Sequence, residues 1–124
     1  MKVSSYYPIF YTEDIESELK RYQEDFGFEV MHRPEIADWL DLYVLGAGDG
    51  TRINLIHSKA PEYSLGEDGF IGMRVNVDDF DEGMAYFEGR GYKIDITTLE
   101  TESFKIAPMK KGDRDCFVVF YHKK

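Results

Sequence analysis

The sequence has little of what marks secreted, membrane-spanning or nucleic-acid-binding proteins. It contains one cysteine, Cys116, which excludes an internal disulfide, and the apolar neighbours of this cysteine indicate a buried small side chain. No apolar run approaches the roughly 20 residues of a membrane-spanning helix, and the N-terminal residues lack an apolar signal core. With 15 basic against 24 acidic residues and a net charge of −9, the surface should repel nucleic acid and anionic lipid. We therefore predict a cytoplasmic protein with no nucleic-acid or membrane partner.

What the sequence does contain is typical of one globular domain. Its 124 residues are 43% hydrophobic and 31% charged, and a chain of this length buries roughly two-thirds of its unfolded surface. The chain can therefore fold unaided, as a single domain covering residues 1–124.

The stretch from 70 to 94 predicts a β-α-β unit. Met73, Val75 and Val77 alternate with Gly, Arg and Asn, which is the period of a strand with one face in a core. Asp79 is placed as the N-cap of a helix, and the glycines near position 90 end that helix. The apolar stripe of the helix is formed by Phe80, Met84 and Phe87. Strands are then predicted over 92–98, 104–109 and 115–122.

The first half of the chain repeats this order. A strand over 6–12 precedes Asp14, the predicted N-cap of a helix that ends at Gly27. Strands follow near 28–32, 39–45 and 52–57, and a glycine-rich turn over 46–50 joins the last two. In the strand over 52–57, Ile53 and Leu55 should face the helix, which leaves Asn54 on the opposite face.

The two halves are related by a nearly constant offset. Asp79 lies 65 positions after Asp14, and RGYKI lies 64 positions after FGFEV. Self-similarity of this kind predicts two βαβββ modules, at about 4–58 and 70–123, with a connector at about 58–69. The predicted fold class is α+β: the two modules form a curled mixed sheet around a concave cavity, with the helices outside.

The paired motifs YYPIFYTEDIE with FGFEV, and GMRVNVDDFDE with GYKI, resemble the glyoxalase/bleomycin-resistance/dioxygenase group, the vicinal oxygen chelate superfamily. The resemblance spans essentially the whole chain, although the final hairpin lacks the group's usual Asp-Pro-Asp-Gly turn. It implies a homodimer. It does not select a function, because the group includes lyases, isomerases, epimerases, dioxygenases, thiol transferases and metal-free binding proteins.

The resemblance also implies where a metal would be held. In metal-using members, a His or Gln from the first strand of each module and a Glu from the last strand bind a divalent ion. The matching positions here are Tyr7 and Gly72 on the first strands, and Asn54 and Val118 on the last. Neutral Tyr and Asn are poor ligands, and Gly and Val offer no donor. We therefore expect neither a metal nor another cofactor.

Histidines could replace the missing ligands, but their spacing does not favour this. His32, His57 and His122 form no HxH, HxxxH or HxxE motif. His57 and His122 end corresponding strands, yet strand alternation places His57 on the face of Ile53 and Leu55, toward the helix. A shift of one residue in register would reverse that assignment, so both placements stay open.

Alternation instead predicts a pocket wall that is aromatic and apolar with a few polar groups, as in small-molecule sites. The candidate ligand-binding residues on the sheet are Tyr7, Tyr11, Asn54, Arg74, Asn76, Val118 and Phe120. Trp39 could stack on a planar ligand at the mouth or serve packing instead. Arg74, in mid-strand, must either pair with a carboxylate such as Glu29 or Asp41 or bind an anionic ligand.

Three functions fit these residues. The leading hypothesis is a metal-independent small-molecule-binding protein that sequesters an aromatic or amphipathic compound. The alternative is a lyase or isomerase that uses non-standard metal ligands or acid-base chemistry by Tyr7 or Tyr11 with Arg74. The third is a subunit whose groove is filled by its own side chains and whose role is association with another protein.

Overall fold

The computed structural model describes residues 3–48, 50–60, 68–95, 97–112 and 114–123, without the side chains of residues 114–116. These ranges contain two helices, α1 (Ile15–Phe26) and α2 (Phe80–Gly89), and nine strands. The strands are β1 (Val3–Tyr11), β2 (Glu29–His32), β3 (Leu40–Gly46), β4 (Arg52–Ser58), β5 (Gly69–Val77), β6 (Lys93–Ile94), β7 (Leu99–Glu100), β8 (Phe104–Lys111) and β9 (Arg114–His122). The predicted α+β class is confirmed. No described helix is long and apolar enough to cross a membrane.

The chain forms two compact units, and β1 contributes to both. One unit comprises Pro8–Ile71 and is called the α1 unit below; the other comprises Met1–Tyr7 and Gly72–Lys124 and is called the α2 unit. The first residues of β1 therefore pack with the second half of the chain, which the sequence repeat did not predict.

In the α1 unit, the helix begins and ends where its caps predict. The Asp14 carboxylate accepts a hydrogen bond of 3.1 Å from the backbone N–H of Ser17, and Gly27 ends the helix with a φ of 72°. Strands β2, β3 and β4 pair antiparallel, and β4 pairs parallel with the end of β1. The helix packs on a buried cluster formed by Leu45, Ile53 and Leu55.

The α2 unit repeats this arrangement. The Asp79 carboxylate caps α2 by accepting from the backbone N–H of Glu82 at 2.9 Å. Strand β5 pairs parallel with β9, and β9 pairs antiparallel with β8. The buried cluster beneath the helix consists of Val75, Val77, Met84, Ala107, Met109 and Val119.

One predicted strand is wrong. The stretch 92–98 forms only the short strand β6, and a further short strand, β7, follows at Leu99–Glu100. Both pair with β8, on either side of the segment around Pro108, whose missing N–H interrupts a regular ladder. Parts of the predicted turn over 46–50 and of the connector lie outside the described residues, as does Ile96.

Candidate functional site

The face of the sheet turned away from α2 carries four of the predicted site residues. Arg74 is in register with Val118, and Asn76 with Phe120. The residues that alternate with them, such as Val75, pack in the cluster beneath α2. Strand alternation therefore places the four side chains together on the opposite face, where the sequence predicted them.

Arg74 is the centre of this group. Only 8% of the residue is exposed, and its Nε–H donates to Oδ1 of Asn76 at 2.7 Å. The guanidinium carbon lies 4.0 Å from the centre of the Phe120 ring and 5.0 Å from that of Tyr7. Burial lowers the pKa of Arg74 to about 10, against the opposite influence of the Tyr7 phenol. The charged guanidinium thus lies over two aromatic rings, where cation–π attraction partly replaces hydration.

Asn76 is fixed in turn by the start of β1. Its Nδ2–H donates to Oγ of Ser5 at 2.9 Å, and its backbone carbonyl accepts from Oγ of Ser4 at 3.2 Å. Hydrogen bonds therefore link Arg74 through Asn76 to Ser5. Sequence reasoning missed Ser5. Its position two residues before Tyr7, on the same face of a strand, was the available signal.

Two of the predicted site residues, Tyr11 and Asn54, lie on the strands β1 and β4 of the α1 unit. Ile9 is in register with Asn54, and Tyr11 with Ile56. Tyr11 is 7% exposed and Asn54 only 1%. These two predicted site residues are therefore buried from solvent.

The histidines are held at strand ends. Nδ1 of His57 lies 2.9 Å from the carbonyl oxygen of Thr12, and because a carbonyl only accepts, this nitrogen carries the hydrogen. His57 is opposite Asp41 in the β3–β4 pair, and its ring centre lies 6.4 Å from that of Tyr11. His122 stacks on Phe104 with 4.9 Å between ring centres. Among the described residues, no group of three or more His, Cys, Asp or Glu is placed to hold a metal ion.

Asp41, one of the carboxylates considered for Arg74, is engaged within the α1 unit. Its Oδ1 lies 3.4 Å from a terminal nitrogen of Arg33 and 3.4 Å from Nζ of Lys59. Asp41, Arg33 and Lys59 line a cleft of about 490 Å³ at the start of β3. Trp39 directly precedes β3, and its backbone carbonyl accepts from the N–H of Lys59 at 2.7 Å. Stacking of Trp39 on a ligand stays a prediction.

The residues at the superfamily's metal-ligand positions do not fit a divalent ion. Gly72 and Val118 carry no donor atom, and the buried amide of Asn54 is a weak one. Tyr7 lies against the Arg74 guanidinium, whose positive charge would repel a cation held by the phenol oxygen. The side chains at these four positions therefore do not support a metal-dependent reaction.

Comparison with solved structures gives the class of fold: the chain has the fold of the vicinal oxygen chelate superfamily, which confirms the resemblance. A methylmalonyl-CoA epimerase from Mycobacterium tuberculosis superposes with a TM-score of 0.81 at 14% identity, covering 98% of this chain and 90% of that one. The Streptomyces coelicolor epimerase in complex with 2-nitronate-propionyl-CoA gives 0.78 at 15% identity, covering 99% and 100%. A hypothetical protein from Bacillus halodurans C-125 gives 0.77 at 11%, covering 99% and 95%.

These identities establish the fold alone. No protein-family model and no curated protein sequence matches the chain.

Proposed function

We propose that the protein is an isomerase- or lyase-type enzyme that acts on a small carbonyl compound without a metal, through Tyr7 and Arg74. The observation that carries the proposal is the buried Arg74 guanidinium lying against Tyr7 on the sheet face opposite α2. A buried cation stabilises negative charge that develops on a substrate oxygen more strongly than a surface cation does. The epimerases among the structural neighbours support an isomerase rather than a sequestering protein.

The chemistry follows from these two side chains. Tyr7, acting as the general base through its side-chain oxygen, takes a proton from the carbon next to the carbonyl group. The electron pair of the broken C–H bond moves to the carbonyl oxygen, where Arg74 stabilises the enolate. Return of the proton to the other face of that carbon, or to a neighbouring carbon, completes the isomerisation. No redox partner is required.

Solvent exchange tests this proposal directly. The protein is incubated in D2O with a panel of methylmalonyl-CoA and aryl 2-oxo acids, and loss of the carbon-bound proton is followed by NMR. We expect exchange with at least one compound, and a rate at least about 100-fold lower in Tyr7→Phe because the proton acceptor is removed. Tyr86→Phe, at a tyrosine that is 46% exposed on α2, is the matched control and should keep the wild-type rate. Absence of exchange with every compound, or an unchanged rate in Tyr7→Phe, contradicts the proposal.

A second candidate is a metal-independent binding protein that sequesters an aromatic or amphipathic compound without transforming it. The observation that favours it is the donor-poor set formed by Tyr7, Asn54, Gly72 and Val118. Such a protein would be stabilised by a compound of a small-molecule panel in a thermal melt, with no response to EDTA and no proton exchange. A stabilisation that depends on a divalent ion would count against it.

Homodimerisation and a cytoplasmic location remain predictions from the sequence. Light scattering coupled to gel filtration, at protein concentrations spanning about a hundredfold, distinguishes a dimer from the 14.4 kDa monomer. A mass that stays at the monomer value would exclude the dimer.

A further inference from the structure

The cleft of about 490 Å³ at the start of β3, called the β3 cleft below, carries charges of both signs. Its charged lining residues are the cations Arg33 and Lys59 and the carboxylates Glu35, Asp38 and Asp41. All of them belong to the α1 unit, and none has a role in the proposed proton transfer. The charged groups of the β3 cleft are therefore not explained by that reaction.

The two cations of the β3 cleft converge on one oxygen. Oδ1 of Asp41 lies 3.4 Å from a terminal nitrogen of Arg33 and 3.4 Å from Nζ of Lys59. Because both distances share this oxygen, the two nitrogens are less than about 7 Å apart, a span that one carboxylate bridges with an oxygen toward each cation. The side chain of Asp41 is 11% exposed, whereas those of Arg33 and Lys59 are more than half exposed. A ligand can thus reach both cations from solvent.

Arg33 and Lys59 also have donor groups left for a ligand. Guanidinium and ammonium groups each carry several N–H donors, and among the described residues the two side chains share a single acceptor, Asp41. The guanidinium carbon of Arg33 lies 4.7 Å from the ring centre of Tyr43, a contact that restricts the motion of the arginine. An added anion can therefore bind both cations while each keeps its contact with Asp41.

Glu35 and Asp38 supply the opposite charge. Both are exposed, and within the described part of the chain neither forms an ion pair. Apolar residues between and beside them, Pro34 and Ile36, line the same cleft and are buried. A simple anion would face the carboxylates and a simple cation would face the basic groups, whereas a ligand that carries both charges satisfies both.

We propose that the β3 cleft binds a free α-amino acid with an apolar side chain. Its carboxylate bridges Arg33 and Lys59, its ammonium group is held by Glu35 and Asp38, and its side chain lies on the apolar part of the lining. The inference goes beyond the proposed function, because it concerns other residues and a ligand that is bound without being transformed.

Leucine and its two single-charge analogues test the proposal. The analogue 4-methylpentanoate lacks the ammonium group and 3-methylbutylamine lacks the carboxylate, while both keep the branched side chain. In calorimetric titrations at low ionic strength, we expect leucine to bind and each analogue to bind at least about tenfold more weakly. Leucine should also raise the Tm in a thermal melt. No binding of leucine, or an analogue that binds as tightly as leucine, overturns the proposal.

Neutral variants show whether leucine occupies this cleft. Lys59→Gln and Asp38→Asn each remove one charge from the lining and should weaken leucine binding at least about threefold. Both side chains are exposed, so the free variants should keep the wild-type Tm. Lys20→Gln and Asp25→Asn make the same changes at exposed positions on α1 and should bind leucine as the wild type does. An unchanged affinity in either cleft variant, or an equal loss in the α1 controls, overturns the assignment of the site.

Discussion

Replacement of Arg74 by methionine should make the protein more stable while it lowers the rate of the proposed proton exchange. Arg74 is 8% exposed, and burial lowers its pKa from its usual value to about 10. A shift of this size corresponds to roughly 3 kcal/mol by which the folded state disfavours the charged side chain. Methionine has a similar length and carries no charge, so the desolvation penalty is absent from the Arg74→Met variant.

The expected net gain is smaller than the full penalty. The substitution removes the hydrogen bond to Asn76 and the two ring contacts, a loss of about 1–2 kcal/mol. We therefore expect Arg74→Met to be about 1–2 kcal/mol more stable at pH 7, measured by urea unfolding. Arg90→Met is the matched control: Arg90 also lies over a tyrosine ring, 4.6 Å from the centre of Tyr86, but it is exposed and its replacement should change stability by less than about 0.5 kcal/mol.

The burial penalty on Arg74 also has a definite pH dependence. Because the folded pKa of Arg74 lies below the unfolded value, the penalty is fully present below about pH 10 and disappears as the pH rises from about 10 toward the unfolded pKa. The stability difference between Arg74→Met and the wild type should therefore be smaller at about pH 11 than at about pH 9. A variant that is less stable than the wild type by about 1 kcal/mol or more, or a difference that grows with pH, would refute the burial penalty.

Two further predictions test how the fold is held together. Asp79→Ala removes the carboxylate that accepts from the N–H of Glu82, and should lower the free energy of unfolding by about 1 kcal/mol in a urea titration; no change would show that α2 does not need its cap. Leu55→Ala leaves a cavity at a fully buried position beneath α1 and should lower the free energy of unfolding by about 2–5 kcal/mol. A loss below about 1 kcal/mol would mean that the buried cluster around Leu55 does not anchor this helix.

Local patterns were enough to predict the helices and the faces of the main strands. Asp14 and Asp79 cap the helices because a short carboxylate reaches the backbone N–H groups of the first turn. Because successive side chains of a strand point to opposite faces, Arg74 and Val75 lie on opposite faces of the sheet independently of the rest of the chain. These features depend on neighbours within a few residues, so a single sequence contains them.

Contacts between distant positions were not predictable in the same way. Nothing near Ser5 in the sequence indicates that its hydroxyl accepts from Asn76, and nothing near Asp41 selects Arg33 and Lys59 as its partners. The short strands β6 and β7 were also missed, because their pairing depends on β8 rather than on their own composition. Long-range pairing decides such features, and propensity does not.

Metal-independent proton transfer by Tyr7 and Arg74 is tested most directly by the proton-exchange assay in D2O with EDTA-dialysed protein. The wild type and Arg74→Met are compared side by side, with Mn²⁺ or Zn²⁺ added back. We predict exchange by the wild type at a rate that neither EDTA nor an added ion changes, and a rate at least about 100-fold lower in Arg74→Met. Exchange that requires a divalent ion, or that persists unchanged in Arg74→Met, would contradict this mechanism.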